Sequence, residues 1–220
     1  MYKALIWKEY REIRLSMAVI TLSCSILAWA VIILSNIQDS YYVSNLGYAM
    51  PNGIDVFIPL TYEFIVLLLG LYTIMAGAEA FASEYQSKTF DFLISRAVSR
   101  NVLWYCKLGL RISTLLLPII YFYLINQFLL MPEQASFPYQ CIFAASILFL
   151  FSASFFFSSI FNRPVKAGAT GVIVYLGYAL IFFNFIDNYF VFAITCTIFA
   201  ILILITSFIV FTKGKFSCAA

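Results

Sequence analysis

SEYQSKTFDFLISRAVSRN, residues 83–101, is the one long polar interruption in a chain of 220 residues that is otherwise mostly apolar. With 64% hydrophobic and only 10% charged residues, the chain lacks the polar surface of a soluble domain, which is about half apolar and about a quarter charged. Lipid is the solvent that suits it, because about 20 consecutive apolar residues cross the hydrocarbon core as a helix. Working outward from the polar stretch, charge-free runs cover 15–38, 64–78 with its flank from 56, 112–132, 134–162, 167–186 and 188–212. These predict an all-α polytopic membrane protein with six transmembrane helices, at 15–38, 56–80, 102–132, 138–162, 167–186 and 188–212, forming a single transmembrane domain. A membrane β-barrel would instead show segments of about 10 residues with apolar alternation, and IFAILILI at 198–205 does not alternate. Ala28-Trp29-Ala30 has the form of a signal cleavage site, but the apolar run continues past it through Leu34, which predicts a retained anchor.

Placing the spans sorts the charges. Lys3, Lys8, Arg11 and Arg14 precede the first. Lys88, Arg96, Arg100, Lys107 and Arg111 lie around the second connection. Arg163 and Lys166 separate the fourth and fifth spans, and Lys213 and Lys215 follow the sixth. All 13 basic residues therefore fall on one side, while Asp39, Asp55, Glu63, Glu133 and Asp187 mark the other. Basic loops stay in the cytoplasm, so both termini are expected there, in a cell membrane. The net charge of +3 reflects this asymmetry and gives no reason to expect a nucleic-acid partner. Cys24, Cys106, Cys141, Cys196 and Cys218 have no paired spacing, and the absence of histidine removes the commonest general base and metal ligand. No catalytic residue, metal site or cofactor is expected.

Two polar segments carry pattern. At the start, Tyr2, Ile6, Tyr10, Ile13 and Met17 recur at helical spacing with Lys8, Arg11 and Glu12 on another face, which predicts an interfacial helix over 1–14. In the interruption, Ser83 with Gln86 fits a capping box, Glu84 to Lys88 fits an ion pair one helical turn apart, and Ser99 is placed to cap the third span. A short amphipathic helix is therefore expected over 83–100. The plainer alternative is a charged loop that only sets topology.

From Glu84 onward, EYQSKTFDFLISRAVSRNVLWYCKLG resembles the signature of type-2 ABC transporter permeases. In that family an acidic residue opens a cytoplasmic helix, followed by a T-L-E-L-L core, a P-V-S-R turn and a Lys on the next span. Glu84 matches the leading acid, Thr89, Phe90, Asp91, Phe92 and Leu93 the core, Val98, Ser99 and Arg100 the turn, and Lys107 the basic residue. Lys88 stands where the family commonly has Gly, and Ala97 where it commonly has Pro. The resemblance implies the permease subunit of an ATP-driven exporter. It would pair with a second permease copy or homologue in membrane lipid and dock on separate ABC ATPase subunits through the 83–100 coupling helix. Under that implication Glu84, Phe90, Asp91, Phe92, Leu93, Ser99 and Arg100 are the ATPase-coupling residues, with the aromatics as anchors and the charges setting register. KGKF at 213–216 lacks the glycine spacing of a phosphate-binding loop, so ATP hydrolysis is expected on the partner.

Within the spans, Ser152, Ser154, Ser158 and Ser159 are expected to mediate close helix packing, and Pro118 to kink the third span, its freed backbone group being satisfied by neighbours. The largest external segment is expected at 36–55, with a turn at Pro51-Asn52-Gly53. A secondary transporter and a non-transporting membrane scaffold or immunity protein are the competing functions.

Overall fold

In the computed structural model, residues 2–44, 53–89, 99–128, 137–185 and 188–213 are described. They form α1 (Tyr2–Ser44), α2 (Gly53–Gln86), α3 (Arg100–Phe128), α4 (Phe137–Ser158), α5 (Pro164–Phe185) and α6 (Tyr189–Lys213). Among the described residues, five stretches are long and apolar enough to cross a membrane: Glu63–Gln86, Arg100–Tyr121, Tyr139–Ser158, Pro164–Phe182 and Tyr189–Lys213. The protein is thus an all-α, multi-span membrane protein.

α4 is the central element, packed against α2, α5 and α6. Its sequence is apolar around the whole circumference, as a helix enclosed by others requires. Peripheral helices instead turn large side chains outward: Ile194, Ile198, Leu202, Ile205 and Ile209 of α6 are all exposed, a surface suited to lipid chains. Between α2, α3, α4 and α6 lies an aromatic core in which Phe81 meets Phe155 edge-on with ring centroids 5.2 Å apart and Phe211 at 4.5 Å. Trp104 joins this core and satisfies its indole by donating to Ser207 Oγ at 3.4 Å.

Lipid tails are as apolar as leucine, so spans gain little from hydrophobic burial and associate through close packing and polar contacts. The serines of α4 serve that packing. Ser154 sits between Gly77 of α2 and Gly171 of α5. A Cβ on Gly77 would lie 2.8 Å from the Phe151 carbonyl oxygen, and one on Gly171 would lie 2.9 Å from the Ser154 nitrogen. Only glycine lets three backbones approach this closely.

Several boundaries differ from expectation. α1 runs without a break from Tyr2 to Ser44, so the segment over 1–14 and the first span are one helix. Along this segment Ile6 and Tyr10 are exposed, whereas Glu9 and Ile13 are buried. Residues 36–44 and Gly53–Asp55, expected in an external loop, extend α1 and α2; the turn residues Pro51 and Asn52 lie outside the described residues. Asn188 caps α6 through its Oδ1, which accepts from the Phe190 and Val191 amides at 3.0 and 3.3 Å.

The capping box at Ser83 and Gln86 does not form, because α2 continues through both residues. Ser83 Oγ donates back to the Glu79 carbonyl at 2.7 Å, the bond of a serine inside a helix. The helix stops just beyond. Thr89 N donates to the Glu84 carbonyl at 3.0 Å and Lys88 N to the Tyr85 carbonyl at 3.2 Å, with Lys88 at φ 56°. This is a Schellman termination with a lysine in the left-handed position that glycine usually fills. Lys88 therefore points away from the helical register that would pair it with Glu84.

Candidate functional site, a buried charge lattice

Lys107 and Arg111 stand one turn apart on α3 in a helix with no acidic residue of its own. Unpaired, each would be costly to bury, so partners must come from other helices. Three carboxylates, Glu9 of α1 and Glu79 and Glu84 of α2, supply them. Lys107 Nζ donates to Glu9 Oε1 at 2.6 Å and lies 3.1 Å from Glu84 Oε1. Lys8 Nζ donates to the same Glu84 oxygen at 2.8 Å and lies 3.8 Å from Glu12. Arg111 is 3.8 Å from Glu9 and 3.9 Å from Glu79, and its Nη1 donates to the Ala76 carbonyl at 3.3 Å. The lattice ties the start of α1, the end of α2 and the start of α3 into one unit.

Burial separates its core from its rim. Glu9 and Lys107 have no exposed surface, and Glu84 and Arg111 retain only 2% and 3%. Lys8, Glu12 and Glu79 are partly open. Phe81 lies beneath, its ring centroid 5.5 Å from Lys107 Nζ, adding a cation–π contact to a desolvated ammonium. Among the described residues, Glu9 Oε2, Glu84 Oε2 and Arg111 Nε make no hydrogen bond, so the core is charge-balanced but incompletely satisfied.

The rim is not balanced. Lys8, Lys107 and Arg111 face Glu9, Glu12, Glu79 and Glu84, one carboxylate in excess. Burial and the charge of Glu9, with a smaller push from Glu84, raise the Glu12 carboxyl above its ordinary value of 4.5 despite the opposing pull of Lys8 and Lys107. Burial works to lower Lys8, yet its hydrogen bond to Glu84 and the charges of Glu84, Glu12 and Glu9 outweigh it and hold Lys8 above 10.5.

Of the seven residues expected to couple, Glu84 belongs to this lattice and faces inward. Ser99 caps α3 as expected, its Oγ accepting from the Val102 amide at 3.4 Å. Arg100 is the first residue of α3. Phe90, Asp91, Phe92 and Leu93 lie outside the described residues. The sequence reading missed Lys8, Glu9, Glu12, Glu79 and Arg111 as members. Its available signal was the pair of cations on α3 with no acid on the same helix.

The fold and lattice define a class, a helical multi-span membrane protein whose basic end is braced by buried ion pairs. Comparison of the chain with protein-family models, curated proteins and solved structures returned no match.

Proposed function

We propose that this chain is the membrane-spanning permease subunit of an ATP-driven ABC exporter. In this reading α1 carries the first of six spans, both termini are cytoplasmic, and the 87–99 segment between α2 and α3 meets a separate ATPase subunit. Two such permeases form the pathway. The observation that supports it is the position of the lattice. Glu84 sits three residues before the segment, Lys107 two turns after it, and both are bonded to the base of α1 or to each other. A segment that transmits force needs stiff mountings, or the displacement is absorbed locally. Buried ion pairs resist separation because an unpaired charge in that site is strongly disfavoured.

The test is site-directed crosslinking in native membranes, with single cysteines at Asp91 and Ser95 in a chain whose own cysteines are removed. Capture of a polypeptide bearing G-x-x-x-x-G-K-[ST] supports the reading. Labelling of these positions by a membrane-impermeant thiol reagent added outside intact cells overturns it.

A further inference from the structure

Glu63, Gly70 and Gly77 are seven residues apart on α2, so they fall within about 40° of one another around the helix. Gly77 is closed against α4, but a Cβ on Gly70 would meet nothing within 4 Å. From the close-packed node the helices diverge. The wedge between them is a crevice of about 340 Å³ lined by Val66 and Gly70 of α2, Tyr139, Ser146 and Leu150 of α4, and Tyr175 of α5. Its walls are predominantly apolar. Tyr175 turns its ring to the crevice and satisfies its hydroxyl by donating to Ser146 Oγ at 2.9 Å, which leaves a greasy wall with no polar demand.

The mouth has the opposite character. Glu63 is exposed about 10 Å along α2 from Gly70 and one turn from Val66. Among the described residues no cation pairs with it, whereas each of Glu9, Glu79 and Glu84 has a cationic partner in the lattice. A carboxylate above an apolar slot matches one ligand chemistry. We infer that this crevice binds a cationic amphiphile, its hydrocarbon tail lying along Gly70 between α2, α4 and α5 and its positive head at Glu63. Charge complementarity selects this occupant over an ordinary zwitterionic lipid, whose phosphate the carboxylate repels. The binding site stands independently of the exporter reading; treating its ligand as cargo rests on that reading.

The experiment uses the full chain in phosphatidylcholine nanodiscs without any ATPase, so its outcome bears on the site alone. The probe is a dodecyl trimethylammonium with a diazirine at the chain end, compared with the same chain carrying a neutral hydroxyl head. Labelling is mapped by peptide mass spectrometry. The cationic probe is expected to mark the Gly70, Leu150 and Tyr175 region about fivefold more than the neutral one, the scale of one ion pair at a wetted rim. Glu63→Gln should erase that preference and leave the neutral probe unchanged. Gly70→Leu, which fills open space and replaces a helix-weakening glycine, should suppress labelling by both probes with the fold intact. Equal labelling by the two heads identifies a plain bilayer chain and overturns the inference, as does a crevice signal that survives Gly70→Leu.

Discussion

Glu63, Gly70, Gly77 and Glu84 form one acid-glycine-glycine-acid stripe along α2, and its two halves behave oppositely. In the 77–84 half the glycine is pressed against the backbone of α4 and the acid is bonded to two lysines. In the 63–70 half the glycine faces open space and the acid is exposed. Residue type alone does not distinguish them. What differs is whether α3 and α1 supply cations at one end, and whether α4 and α5 supply small residues in the middle.

The largest effect should come from removing the central cation. Lys107→Met leaves Glu9 and Glu84 buried without their shared partner and should destabilise the protein by about 3–5 kcal/mol, measured by denaturant unfolding in detergent. Adding Glu9→Met should recover part of that loss, since an apolar pair avoids an orphaned charge. No loss in the single variant would mean that the lattice does not brace this end.

The two glycines provide an internal control. Gly77→Ala should destabilise by about 1–3 kcal/mol, because the methyl meets fixed backbone. The same change at Gly70 should stabilise by about 0.5–1 kcal/mol, as expected for an unobstructed helical site. Equal signs would erase the contrast between the halves.

Beyond the closed end, Lys88→Gly should stabilise by about 1 kcal/mol in the same assay, since glycine adopts the left-handed cap without a Cβ clash. That position is also one where the sequence departs from the permease pattern.

The smallest effect is pH-dependent. Glu12's folded pKa is raised, so its stabilising contribution is complete below its ordinary value of 4.5 and is lost as pH rises through the folded value. Glu12→Gln should therefore raise the thermal midpoint slightly at neutral pH, the effect kept small by solvent screening of a part-open side chain, and flatten the profile across that window. A steeper profile in the variant would place the excess proton elsewhere in the lattice.

Five spans were legible because lipid imposes a requirement that composition states directly: long runs without charge. Their ends were less so. Ser83 and Gln86 satisfy a capping pattern locally, but the inward pull of Glu84 toward Lys8 and Lys107 keeps α2 helical through them. Likewise, the helical spacing of Tyr2, Ile6, Tyr10, Ile13 and Met17 marks an apolar face but gives no sign that Glu9 meets Lys107. Spacing along one helix identifies which residues share a face; it does not say which helices meet. Glu84 and Lys107 were therefore each singled out from sequence while their pairing, with each other and with α1, was not. Ser99 succeeded because a cap depends only on its immediate neighbours.

The unbroken α1 has a geometric consequence. At 1.5 Å per residue its 43 residues extend about 65 Å, whereas a bilayer with its headgroups is about 40–45 Å thick. As the first of the six proposed spans, such a helix would overhang the membrane even with substantial tilt. Its base is gripped by Lys107, so a push on the far tip becomes a torque on α3 through a single continuous shaft.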